Sequence, residues 1–245
     1  MKEKIDTLYT TISDVSLVGG GRVPRPGEIS LAHYGVLFLD ELPEFKKSVI
    51  EVLRQPMEDG IVSVSRISAS LTYPAKFMLV ASMNPCPCGY YGDALHECTC
   101  SQRSIEKYLG KISGPLLDRI DIHVEASPIE YKDLENEKRN KVESSQEIKK
   151  RVNKARNIQL SRYRKEKIFS NSELSPKNIN KYCMLNTKSK KLLKDAFLQL
   201  GLSARAYNKV LKIARTIADI DDEEIIQEHH IAEAIQYRTL DRRFR

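Results

Sequence analysis

Apolar residues in the first half of the chain come in short unbroken runs, whereas the second half spaces them at steps of three and four. Gly35-Val-Leu-Phe-Leu-Asp-Glu41 and Lys76-Phe-Met-Leu-Val-Ala-Ser-Met83 are continuous apolar stretches that end in polar residues. That is the pattern of strands buried on both faces of a parallel sheet. Between them Phe45, Val49, Leu53 and Met57 recur every fourth residue, predicting a helix that starts near Pro43 and is ended by Pro56 and Gly60. The segments 61–66 and 69–73 alternate and lie two residues apart, which predicts a β-hairpin even though Ile67-Ser68 is poor turn chemistry. Ile120-Asp-Ile-His-Val124 alternates as well and predicts a third strand after the turn at Gly114-Pro115.

From about Pro128 the strand signals stop. Residues 149–167 carry nine basic side chains and one acid, Glu166, on a stretch suited to one long exposed helix. Leu192, Leu193, Ala196, Phe197 and Leu200 form an amphipathic helix closed by Gly201. Ser203 then caps a helix with Val210, Leu211, Ala214, Ile217 and Ala218 on its apolar face and Arg205, Lys209 and Lys212 in a basic stripe beside it. A last helix runs from about His230. The expected fold class is α/β: a parallel-sheet core over residues 1–127, a basic helical linker over 128–172 and a helical domain over 173–245.

Charge and cysteine placement add to this picture. The 245 residues carry a net charge of +7 with a pI near 9.0, which favours a polyanionic partner such as DNA. No apolar run approaches the length needed to span a bilayer and the amino terminus lacks the apolar segment of a signal peptide, so a cytoplasmic protein is expected, with no membrane partner. Four of the five cysteines, Cys86, Cys88, Cys98 and Cys100, fall within one short segment. Four clustered thiols in a cytosolic chain point to a structural Zn²⁺ more than to disulfides, although C-x-C pairs are tighter than the usual C-x₂-C; reduced, metal-free thiols are the alternative. His96 is close enough in sequence to replace one thiol. Cys183 stands alone and reads as a small buried residue.

The run ending in Asp40-Glu41 carries the candidate chemistry. A buried strand with an acid at its carboxyl end is the Walker B arrangement, in which the acid holds Mg²⁺ beside nucleotide phosphates and a second carboxylate activates water. An ordinary core strand ending in acids is the bland alternative. No G-x-x-x-x-G-K-[ST] loop occurs: the one Gly-Lys pair, Gly110-Lys111, has Ile112 after it and Ile105 where the first glycine should stand. A phosphate loop is therefore expected before Met1, and the 245 residues alone are expected to bind ATP weakly or not at all.

Four signatures in order carry a resemblance: Pro26 to Phe45, Ala81-Ser-Met-Asn-Pro-Cys-Pro-Cys-Gly89, Ser113-Gly-Pro-Leu-Leu-Asp-Arg-Ile-Asp121 and Leu202-Ser-Ala-Arg-Ala-Tyr207. Together they resemble the ComM/YifB family of magnesium-chelatase-like AAA+ proteins over nearly the whole chain. The resemblance implies a partial AAA+ P-loop NTPase core followed by an α-helical lid, a homo-oligomeric ring taken as a hexamer, and an ATP- and Mg²⁺-dependent helicase that drives branch migration on DNA in natural transformation. It implies Asp40 as the Mg²⁺ acid, Glu41 as the catalytic base, Asn84 as sensor 1, Arg119 as the arginine finger and Arg205 as sensor 2. The hairpin at 61–73 resembles a pre-sensor hairpin that grips DNA, and Val18 to Glu28 resembles part of a second insertion. A metal-chelatase-type motor subunit and a non-catalytic zinc-containing module that binds DNA or a partner are the other function classes.

Overall fold

The computed structural model describes residues 5–8, 10–21, 23–66, 69–93, 95–126 and 143–238. It divides into two compact units, one ending at Ile120 and the other beginning at Asp121.

The first unit is built on a parallel sheet of β1 (Ile5–Leu8), β4 (Val36–Leu39) and β7 (Met78–Ala81), in the order β1-β4-β7. Val36 pairs with Ile5 on one side and Met78 on the other, and Leu39 with Leu8 and Ala81. Two antiparallel ribbons accompany the sheet, β2 (Gly19–Gly20) with β3 (Arg25–Pro26) and β5 (Ile61–Arg66) with β6 (Ala69–Pro74). The second ribbon is the predicted hairpin; its turn, Ile67-Ser68, lies outside the described residues. Short helices α1 (Asp14–Val18), α2 (Glu28–Leu31), α3 (Lys47–Glu51), α4 (Arg54–Asp59), α5 (Gln102–Leu109) and α6 (Gly114–Leu117) complete the unit. Gly27 shows why the first ribbon needs glycine: a Cβ there would lie 2.4 Å from the Gly19 nitrogen and from the Leu17 carbonyl oxygen.

Side chains alternate across the sheet, and the register puts Leu8, Leu37 and Leu39 on one face, all buried in the core with Leu17, Ile29 and Phe45. The opposite face carries Ile5, Val36, Phe38, Met78 and Val80. Ile5 is 66% exposed, Met78 63% and Val80 40%, while Val36 and Phe38 are half-buried. This corrects the expectation that 76–83 is a strand buried on both faces; it is also shorter than expected.

Three further expectations change. The helix predicted from Pro43 is a 3₁₀ turn at Leu42–Glu44 followed by α3 and α4, broken at Val52-Leu53. The break lets Pro56 sit in the first turn of α4, where its missing N–H costs little, and Gly60 ends that helix in the left-handed region. Residues 120–124 form no strand: His123 points inward and Ile122 and Val124 outward, inverting the alternation. The His123 N–H donates to the Tyr237 carbonyl and Asp121 pairs with Lys209 at 3.0 Å, so this segment joins the helical unit and moves the boundary from 127 to 120. Strand β1, finally, was not predicted; four residues containing Asp6 and Thr7 carry too little apolar pattern.

The second unit contains α7 (Ser145–Arg162), α8 (Pro176–Tyr182), α9 (Thr187–Leu200), α10 (Ala204–Ile220) and α11 (Glu228–Gln236) among its described residues. Helix α7 is the long basic helix, opened by a capping box between Ser144 and Glu147. Gly201 ends α9 in the left-handed region and the Ser203 hydroxyl caps α10, as the sequence predicts. The apolar face of α10 is buried with Leu193, Ile226 and Ile231. The basic stripe beside it is not open to solvent throughout. Lys209 is paired with Asp121, and burial draws the Lys209 and Lys212 ammonium groups below the ordinary lysine range. Residues 128–142 of the expected linker lie outside the described residues; 145–173 pack as part of the helical unit. No described helix is long and apolar enough to cross a membrane.

Candidate active site and thiolate cage

Strand β4 ends at Leu39 and delivers Asp40 and Glu41 to the carboxyl end of the sheet, where ligands of open parallel sheets bind. Glu41 has φ 53°, in the left-handed region that glutamate rarely occupies. The turn is held from the neighbouring strand. The Ser82 N–H donates to the Leu39 carbonyl at 3.0 Å and its carbonyl accepts from the Leu42 N–H at 2.9 Å. Its hydroxyl donates to Asp40 Oδ1, while the Glu41 N–H lies 3.1 Å from Asp40 Oδ1 and 3.3 Å from Ser82 Oγ. Ser82 thus fixes the Asp40 carboxylate and the Glu41 backbone, and sequence reasoning missed it. Its signal was its place in Ala81-Ser-Met-Asn84, one register step past the paired end of β7.

Asn84 follows on the same strand end and is exposed, as are Asp40 and Glu41. The structure therefore brings Asp40, Glu41 and Asn84 to one end of adjacent strands. Two oxygen donors on exposed carboxylates beside a polar strand end suit a hard divalent cation such as Mg²⁺. No glycine-rich phosphate cradle occurs among these residues.

Arg119 is placed elsewhere in the same unit. It follows α6, where its guanidinium bonds to Glu58 and donates to the Pro115 carbonyl at 2.7 Å, in a groove also lined by Glu51, Arg54 and Asp59. Arg205 stands exposed in the first turn of α10 in the helical unit.

The four clustered cysteines converge. Sγ of Cys86 lies 3.3 Å from that of Cys88 and 3.7 Å from that of Cys98, and Cys88 and Cys98 are 3.6 Å apart. Cys100 completes the group, with all four sulfurs within 4.8 Å of one another. All are free thiols, too far apart for disulfides. A tetrahedral Zn²⁺ with Zn–S bonds of about 2.3 Å has sulfur–sulfur edges of about 3.8 Å, so the cage fits that ion. Packing thiols this closely separates their titrations: the Tyr90 backbone N–H draws Cys88 down to about 6. The Cys100 N–H pulls Cys98 the same way, but burial and the adjacent sulfurs win and push it up to about 12. His96 is not a ligand; its side chain is 60% exposed and lies against Asp93 and the Tyr90 ring. Cys183 is buried apart from the cage, as expected, and burial pushes its thiol up to about 11.

A second cluster, Asp221, His229 and His230, is not a metal site of this kind. His230 Nδ1 accepts the Gln227 N–H at 3.0 Å, so the neutral ring carries its proton on Nε2, facing Asp221, and has no lone pair left there for a cation.

A parallel sheet with acids at its carboxyl end, followed in sequence by a helical unit, defines a partial AAA+-type core with a helical domain. Family comparisons agree: residues 2–134 match the magnesium chelatase subunit ChlI family and residues 142–238 match the C-terminal part of that subunit. The chain belongs to this magnesium-chelatase-like family, within its ComM/YifB branch. It is 45% identical over 234 residues to YifB of Salmonella typhimurium, covering 96% of this chain and 45% of that protein. It is 46% identical over 225 residues to the competence protein ComM of Haemophilus influenzae, covering 92% and 43%. The magnesium-chelatase 67 kDa subunit of Chlorobaculum parvum is 31% identical over 116 residues, 47% of this chain and 15% of that protein. The chain thus spans under half the length of the YifB and ComM relatives it matches.

Proposed function

We propose that this chain is the Walker B, sensor and lid portion of an ATP-hydrolysing ring motor that acts on DNA in the cytoplasm, as a branch-migrating helicase. The observation that carries the reading is the meeting of Asp40, Glu41 and Asn84 at the carboxyl end of β4 and β7. Asp40 would hold Mg²⁺, which neutralises charge on the phosphates when bound. Glu41 accepts the proton of the attacking water, and Asn84 orients that water. Arg119, in its groove beside Glu58, serves the nucleotide of a neighbouring subunit in a homo-oligomeric ring of hexameric type. Arg205 supports an anion as sensor 2: the amino-terminal turn of a helix opposes a cation but favours a phosphate beside one. A phosphate loop is supplied from outside these 245 residues. The thiolate cage takes Zn²⁺ as a structural ion.

The net charge of +7 and the exposed basic side chains of α7 support DNA as partner. The match to a magnesium-chelatase subunit supports a second reading, a chelatase-type motor working with partner subunits. One experiment separates them. On the polypeptide extended through its phosphate loop, ATP hydrolysis is measured with and without DNA, in wild type and in Glu41→Gln. A helicase-type motor is stimulated by DNA and loses roughly a hundredfold or more in rate on removal of its base. Hydrolysis indifferent to DNA favours the chelatase-type motor, and hydrolysis unaffected by Glu41→Gln overturns the assignment of the site.

A further inference from the structure

The cage sits next to the site by chain connectivity. Asn84 is followed by Pro85 and then by Cys86, which is fully buried. The loop then runs through Cys88, Cys98 and Cys100 and re-enters regular structure at Ser101, the N-cap of α5. Over Ser82 to Ser101 the described residues form neither helix nor strand, and the backbone hydrogen bonds within the cysteine loop are Gly89 N–H to Cys86 and Asp93 N–H to Tyr90. A loop of that length without regular structure needs another source of order.

Helix α5 supplies the other half of the geometry. Its amphipathic face buries Ile105 and Tyr108, and the Tyr108 phenol rests against the Asn84 backbone, close to Cys86, Glu41 and Glu44. Lys111, just past the helix, reaches Glu44 at 3.9 Å. Asn84 is therefore held from two directions, by the chain entering the cage at Cys86 and by the helix leaving it at Cys100.

We propose that the ion in the cage is a positioning device for Asn84: Zn²⁺ bound by Cys86, Cys88, Cys98 and Cys100 cross-links the two ends of the loop and so clamps Asn84 between Cys86 and Tyr108. Binding displaces the thiol protons and leaves four thiolates on the ion. Without the metal, four crowded thiols replace a cross-link and the loop loses its tether. The catalytic meaning of the clamp rests on reading Asn84 as a sensor residue; the clamp itself does not.

The test uses the 245-residue chain and requires no nucleotide. Zinc content and thiol titration are measured on protein purified without chelator, and hydrogen exchange at the Asn84 amide is followed before chelation, after chelation and after zinc is restored. About one equivalent of zinc is expected, with exchange at Asn84 accelerating roughly tenfold or more on chelation and recovering on re-addition. Exchange in α10 should stay unchanged, and that helix is the internal control for folding. The Cys98→Ser,Cys100→Ser double variant should behave as the chelated protein does, and the reversible cycle in wild type keeps the proposal decidable if that variant fails to fold. Less than half an equivalent of zinc with four titratable thiols overturns the cage. Stoichiometric zinc with Asn84 exchange unchanged on chelation overturns the clamp while leaving the cage. Failure of DNA-stimulated hydrolysis in the extended protein overturns the motor reading and touches neither result.

Discussion

The two units treat polar groups in opposite ways. In the helical unit Asp219 is buried and accepts from Arg162, Arg215 and Asn171, and the fully buried Arg215 also donates to the carbonyls of Glu223 and Glu224. Asn171 adds Thr216 and the Tyr163 hydroxyl to the same network. In the α/β unit the acids of interest stand exposed at a strand end, and one face of the sheet leaves apolar side chains in solvent. The helical unit satisfies its charges internally and reads as a self-sufficient support. The α/β unit keeps Asp40, Glu41 and an apolar surface open, as the proposed chemistry would require.

Asp219→Ala is the strongest way to break that contrast. It leaves Arg215 buried without a counter-charge, and the helical unit should lose about 3–5 kcal/mol in denaturant unfolding followed by far-UV circular dichroism. The zinc content of the α/β unit should be unchanged. A loss under about 1 kcal/mol would show that the network is not what holds the unit together.

Within the sheet, the two faces of one strand make a sharper comparison. Leu37→Ala removes a fully buried side chain and should cost about 2–5 kcal/mol, whereas Phe38→Ser on the open face should cost clearly less. Equal costs would mean that the open face is covered in solution. Ser203→Ala, which removes the cap of α10, should cost about 1 kcal/mol and identify the helical unit's transition.

The smallest effect is a pH dependence. Burial, and then the charge of His229, hold the His230 pKa below 6.5, with Asp221 opposing and Arg215 reinforcing the shift. A histidine with a lowered native pKa binds its proton more readily when unfolded, so stability present above pH 6.5 falls as pH drops toward the lowered value. Denaturation midpoints at pH 7.5 and 5.5 should differ in wild type by more than in His230→Asn.

Much of this was legible in the chain. The placement of Asp40, Glu41 and Asn84 at strand ends was readable from the apolar runs that precede them, and the caps at Gly201 and Ser203 follow from local backbone chemistry. The cage was readable as a cluster of thiols, although its spacing alone left the metal-free state open. What escaped depended on partners distant in sequence. Ser82 matters only because β7 lies beside β4, and His123 turns inward because Tyr237 accepts its N–H. The open sheet face was hidden for the same reason: Met78 and Val80 look like core residues until the register shows what they face.

The left-handed turn at Glu41 has a consequence for heat tolerance. A residue with a Cβ pays about 1 kcal/mol or more to sit there, and glycine would relieve it. A Glu41→Gly protein should therefore be at least as robust to heat or denaturant as its parent while losing the carboxylate. In a screen for thermal tolerance that change would be enriched, and under the proposed role of Glu41 a screen for ATP hydrolysis would remove it. The φ of 53° at Glu41 thus sets durability against the carboxylate that the proposed role requires.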